Sequence, residues 1–230
     1  MNLTTVEGMR SEIFVPVTPK PVFTELKKPL SECKVAFITA GGIHKKDQTP
    51  FNTSGDFSYR VIPFDTPSSN LMVTHGGFDN SDINKDVNAM FPIDRLHELV
   101  AEGFIGSLPE ETYTFMGGGG NVEKFLNETG PEMSKKLKAQ GVDIVLCTGG
   151  CGTCHRSATI VTRCCEAEGM SCCVIAALPP IARQQGAPRI TAPHVPIGSN
   201  AGEPNNIPMQ TAILKESLEW VRDCPSYNGL

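Results

Sequence analysis

The chain has 230 residues, 40% of them hydrophobic and 20% charged, with a formal net charge of −5, which suits one compact domain with a continuous core. No run of lysine and arginine has the density that neutralising several phosphates requires, so nucleic acid is not an expected partner. No segment approaches ~20 uninterrupted apolar residues and the first residues carry no basic-then-apolar leader, so neither a membrane span nor a signal peptide is expected and the implied location is cytoplasmic.

In chain order, residues 1–31 are rich in proline and polar residues without a sustained period, and read as an extended arm that packs on the body or on a partner. Residues 32–230 read as a single domain. "CKVAFITAGG" (33–42) is a short apolar run ended by glycines, the pattern of a buried parallel strand feeding a loop. Residues 43–89 hold many turn formers and only brief strand signals, "YRVIP" and "LMVTH", and a loop of that length is usually functional. "PIDRLHELVAEG" (92–103) has the spacing of an amphipathic helix with proline at its start and glycine at its end. The second half alternates cleanly: "GPEMSKKLKAQG" as helix, "VDIVLCTGG" as strand, "HRSATIVTRCCEAEG" as helix, "MSCCVIAAL" and "PRITAPHVPIG" as strands, and "NNIPMQTAILKESLEWVRD" as the last helix. Buried strands alternating with helices predict a three-layer α/β sandwich on a mainly parallel sheet of flavodoxin-like type, with ligands at the carboxyl ends of the strands.

Nine cysteines are present, seven of them between positions 147 and 173. A secreted disulfide framework would spread them along a short, loop-rich chain. Cys33, Cys164, Cys165, Cys172, Cys173 and Cys224 read as small buried residues, and Cys147 as part of a strand. The stretch "CTGGCGTCHRSAT" (147–159) is different, because it places Cys151 and Cys154 on the turn and at the start of the next helix. Unpaired N–H groups and the positive helix end there favour a thiolate, His155 and Arg156 can add positive charge, and Gly149, Gly150 and Gly152 leave room for close approach to the sulfur. A zinc site would have to be built from Cys147, Cys151, Cys154 and His155, without the second ligand pair that structural zinc sites use. A tyrosine-phosphatase loop fails by one residue, since C-x5-R needs an arginine at 157, where Ser157 stands, and Arg156 follows Cys151 after only four residues. A thioredoxin-like reading fits the C-x-x-C but not the chain around it. A nucleophilic cysteine with a resolving partner on an α/β scaffold remains, beside a zinc-stabilised interaction module and a stand-alone disulfide oxidoreductase as the other two classes.

"GGCGTCHRSAT", "TAGGIHKKDQTPFN", "DFSYRVIP", "THGGFDNSDINKDVNAMFPIDRLHEL" and "EGFIGS" occur in one order, and over roughly residues 33–223 the chain resembles the selenoprotein B family of the glycine, sarcosine, betaine and D-proline reductases. Glycine reductase members are much longer and carry a third cysteine three residues after the second, where this chain has Ser157, so the resemblance is nearest to the D-proline branch. In that branch selenocysteine stands at the position of Cys151. The cysteine here marks either a cysteine-containing relative or a replacement. The resemblance implies reductive ring opening of D-proline to 5-aminovalerate in amino-acid fermentation, within a hetero-oligomer. A partner subunit made by self-cleavage of a proprotein carries a pyruvoyl group that captures the proline nitrogen, position 151 attacks the carbon next to the carboxylate, and Cys154 resolves the adduct to a bridge that a dithiol or protein donor reduces. No cofactor or metal is expected in this chain itself; the glycine, betaine or sarcosine reductase type is the alternative within the family.

Thr153, His155, Arg156, His44 and His75 are candidate supporting or substrate-binding residues, the two histidines because they lie just past predicted strands. "DNSDINKDVN" resembles a calcium loop at Asp82, Asn84 and Asp86 but has Val87 where a glycine and Ile93 where an acid is needed, so it reads as a capped loop. "GGGG" (117–120) lacks the ending of a phosphate-binding loop and reads as a hinge or partner contact.

Overall fold

The computed structural model describes residues 21–117, 122–224 and 226. Its centre is a six-stranded sheet in the order β3-β5-β1-β6-β7-β8, built from β1 (Val35–Thr39), β3 (Tyr59–Pro63), β5 (Glu111–Phe115), β6 (Ile144–Thr148), β7 (Ser171–Ile175) and β8 (Ile190–Thr191). Every residue of β1, β6 and β7 is buried, as strands covered on both faces must be. Alternate residues serve opposite faces: Val35, Phe37, Ile144 and Leu146 enter one core and Ala36, Ile38, Val145 and Cys147 the other. The first core is closed by α2 (Ile93–Ala101) and α7 (Ile207–Asp223), the second by α4 (Gly130–Ala139) and α5 (Gly152–Ala167). A short α3 (Val122–Lys124) runs through one π-turn, Phe125–Thr129, into α4.

The three-layer, mainly parallel arrangement is therefore present, its five parallel strands lying in the order β5-β1-β6-β7-β8. Here β1 lies between β5 and β6, and β3 pairs antiparallel with β5 at the edge. Pro63, which cannot donate to a ladder, is tolerated at the end of that edge strand. Periodicity alone does not reveal two of the elements that complete the sheet layers. One is β5, which sits beside β1; the other is α6 (Pro179–Gln184), a single turn and a half between β7 and β8. The 43–89 region is more ordered than a long loop: β2 (Ile43–Lys45) and β4 (Leu71–Val73) form a small antiparallel ribbon, and α1 (Ser81–Lys85) follows. Of "PRITAPHVPIG" only Ile190–Thr191 is strand.

The arm is described from residue 21 onward, where it is clamped to the body. Thr24 N donates to the Glu166 carboxylate and Thr24 Oγ1 to Glu166 O, while the Arg189 guanidinium bonds Glu166 at 2.8 Å and Thr24 O at 2.7 Å and stacks 3.9 Å over the Phe23 ring. Glu166 and Arg189 side chains are both fully buried, so this pair depends on its partners to offset desolvation. Among the described residues no helix is long and apolar enough to cross a membrane.

Candidate active site

The chain leaves β1 toward one face of the sheet and β6 toward the other, so their carboxyl ends flank the crevice where α/β sheets take ligands. The loop after β6 carries Cys151 to that crevice. Cys151 is the N-cap of α5, in extended conformation, and its Sγ accepts from Cys154 N at 3.4 Å. The thiol thus does the work usually given to serine or aspartate at a helix start. The helix begins at Gly152, three residues earlier than its apolar periodicity indicates. One turn of helix then brings Cys154 Sγ to 2.7 Å from Cys151 Sγ, and Thr153 Oγ1 lies 3.0 Å from the same sulfur.

The two thiols are not equivalent. Cys154 is fully buried and Cys151 half-buried. Hydrogen bonding from the Cys154 thiol, joined by His75, Thr153 and the Cys154 N–H, outweighs burial and pulls Cys151 down to about 3. Burial, reinforced by the neighbouring Cys151 sulfur, pushes Cys154 well above the ordinary thiol range. These opposite shifts favour the proton on Cys154 and thiolate character on Cys151. Cys147 points into the core behind β6, where burial also raises it.

His75 arrives from the loop after β4. Gly77 N donates to its Nδ1 at 2.9 Å, which leaves the proton of the neutral ring on Nε2, 2.9 Å from Cys154 Sγ. The ring is held by Phe78, whose centroid is 4.5 Å away, and by Asn80 Nδ2 bonding His75 O. Phe78 in turn lies on Gly150, where an added Cβ would meet the ring at 2.1 Å, and Gly77 admits no Cβ without contacting His75 and Cys151. On the far side Asn200 Nδ2 holds Gly149 O at 2.7 Å.

The other candidates lie elsewhere or act differently. His155 is fully buried: its Nδ1 donates to Cys151 O at 2.7 Å and its Nε2 accepts from Leu178 N at 3.1 Å. Burial lowers its pKa, so it is a neutral tie between the Cys151 carbonyl and the α6 loop rather than a source of positive charge. Arg156 is half-buried and lies within electrostatic range of the Cys151 thiolate. His44 is spent on Lys45 O and Thr74 Oγ1, at 2.7 and 2.8 Å. The four nominated zinc ligands do not converge, because Cys147 and His155 face away; His75 joins Cys151 and Cys154 instead. Asp86 of the calcium-like stretch accepts from Asn88, Asn205 and Gln210 and pins that loop to the start of α7 and the segment before it. Of "GGGG", 118–120 lie outside the described residues; Gly117 packs on Ser157 and Cys154. Phe78 and Asn200 also shape the site, and no local pattern ties them to Cys151, which lies 73 and 49 positions away in sequence.

The family model for glycine/sarcosine/betaine reductase selenoprotein B matches residues 5–150. The chain belongs to that family. The match ends one residue before Cys151, but longer alignments continue through the thiol pair. D-proline reductase subunit gamma of Acetoanaerobium sticklandii is 54% identical over 225 residues, covering 98% of this chain and 93% of its own length. Glycine reductase complex component B subunit gamma of Carboxydothermus hydrogenoformans is 31% identical over 85% of this chain and 48% of its own, and sarcosine reductase complex component B subunit beta of Peptoclostridium acidaminophilum is 32% identical over 86% and 48%. This family member thus spans nearly all of the proline reductase subunit and about half of the other two. No solved structure matches.

Proposed function

We propose that this chain is the nucleophile-bearing subunit of a D-proline reductase, which opens the D-proline ring to 5-aminovalerate at the expense of a dithiol. The observation that carries the reading is the split thiol pair: Cys151 a half-buried thiolate at a helix N-terminus, Cys154 a protonated thiol 2.7 Å behind it. The near full-length similarity to a proline reductase subunit supports the substrate. Ser157 supports the same branch: its hydroxyl is buried against Gly117 and bonded to Thr153 O and Cys154 O, at 3.1 and 3.2 Å.

A pyruvoyl group on a partner subunit would supply the electron sink that makes the proline nitrogen a leaving group. Within this chain, Cys151 Sγ bonds the carbon next to the carboxylate as the carbon–nitrogen bond breaks and its electron pair leaves on nitrogen. Cys154 Sγ then bonds Cys151 Sγ; the sulfur–carbon bond breaks, its pair stays on carbon, and a proton joins it in balance with the one Cys154 gives up. The dithiol donor supplies the two electrons and two protons that reopen the bridge. His75 Nε2–H faces the sulfurs throughout and steadies negative charge as it moves between them. A backbone N–H, a hydroxyl and a thiol are directed at the Cys151 position, and a selenolate there would accept from the same donors. The location we assign is the cytoplasm.

The test is reconstitution with the pyruvoyl partner, a dithiol and D-proline. Product should form with the intact chain and vanish with Cys151→Ala; product undiminished in that variant overturns the assignment. Glycine, sarcosine or betaine supporting turnover instead of D-proline would place the chain in the alternative branch.

A further inference from the structure

We propose that His75, Cys151 and Cys154 form a three-ligand site for one thiophilic divalent cation of the zinc and cadmium class, with its fourth position open on the Cys151 side. The inference rests on the proposed function only in sharing its thiols. The three ligand atoms lie within 4.8 Å of one another, and two sulfurs with an imidazole nitrogen are the donors such metals select. The ligands come from two loops held against each other, the His75 loop by Phe78, which packs on Gly150, and by Asn80, the Cys151 loop by Asn200 and the first turn of α5. Bonds of ~2.3 Å at tetrahedral angles need sulfurs ~3.8 Å apart, so the pair must open from 2.7 Å. Cys151 can supply that movement, since it is half-buried at the helix start while Cys154 is fixed inside. Binding at Nε2 requires the ring proton to move to Nδ1, which gives up the bond from Gly77 N; Gly76 and Gly77 are exposed, leaving that backbone free to turn to solvent. Two thiolates and a dication are neutral together, and that suits a half-buried site.

The bound form would have no free nucleophile and could not form the bridge, so metal and oxidation exclude each other. Titration of the full, reduced chain with Cd2+ tests this through the ultraviolet thiolate-to-cadmium band. One equivalent should bind, the Cys151→Ala/Cys154→Ala double variant and the bridged form should show no such site, and reduction should restore it. His75→Ala should bind at least about tenfold more weakly, since even outer-shell losses cost 10–100-fold in metal affinity. A reduced chain that binds no better than the bridged chain, a comparison that needs no variant, overturns the site, as does unchanged affinity in His75→Ala. Failure here leaves turnover of metal-free protein untouched, whereas metal binding without product formation would sink the proposed function alone.

Discussion

Replacing Cys154 by alanine removes the largest influence on the Cys151 thiol, and the size of the effect follows from that hydrogen bond. A hydrogen bond to a charged group is worth roughly 1.5–3 kcal/mol, and each pKa unit corresponds to ~1.4 kcal/mol, so loss of the Cys154 thiol should raise Cys151 by ~1–2 units from about 3. Removing His75 as well should raise it further toward the ordinary value of ~8.5. The assay is the rate of iodoacetamide alkylation between pH 3 and 9 under a phosphine reductant, read by mass spectrometry on the Cys151 peptide. In the intact chain the rate should stay nearly flat down to mildly acidic pH; in Cys154→Ala its midpoint should move upward. Because the folded-state pKa is depressed, the thiolate's contribution to stability is complete above the unfolded thiol value and declines as pH falls toward the folded one. An intact chain that titrates near 8.5, or a midpoint that Cys154→Ala leaves in place, refutes the charge-separated pair.

Glu166→Gln strands the Arg189 guanidinium in the core beneath the arm and should cost about 3–5 kcal/mol in urea unfolding. Gly150→Ala drives a methyl group into the Phe78 ring; overpacking of this kind costs about 1–3 kcal/mol, which a thermal melt should show. Asp86→Ala leaves donors from Asn88, Asn205 and Gln210 without their acceptor, at about 1–3 kcal/mol. These bonds outweigh burial and hold Asp86 below the usual aspartate value, so its support is present above pH ~4 and fades below it. Urea midpoints of the variant and the parent should therefore converge in acid.

The layered fold was legible because β1, β6 and β7 are continuous apolar runs ended by turn formers, and α2, α4 and α7 keep clear periods between proline and glycine signals. β5 was not, since "ETYTF" is short, half polar and follows a glutamate and a proline. Its burial comes from β1 and β3, which are distant in sequence. The antiparallel entry of β3 likewise depends on pairing that no local pattern encodes. At the site, the closeness of Cys151 and Cys154 follows from a three-residue spacing on a helix, but the unequal protonation does not: it needs the burial of one sulfur and a histidine 79 positions away. His155 misleads in the opposite direction. Next to a reactive cysteine it looks like a cation, yet it turns inward and serves two backbone groups.

The central claim is that Cys151 and Cys154 together deliver two electrons to a substrate carbon, and a single-turnover experiment tests it most directly. The pre-reduced chain, freed of dithiol, is mixed with its pyruvoyl partner and D-proline, and both product and thiol state are measured. The account predicts close to one 5-aminovalerate per chain, appearing together with a Cys151 to Cys154 bridge while the other seven cysteines stay free. Product formed without that bridge, or a bridge formed through any other cysteine, would contradict it.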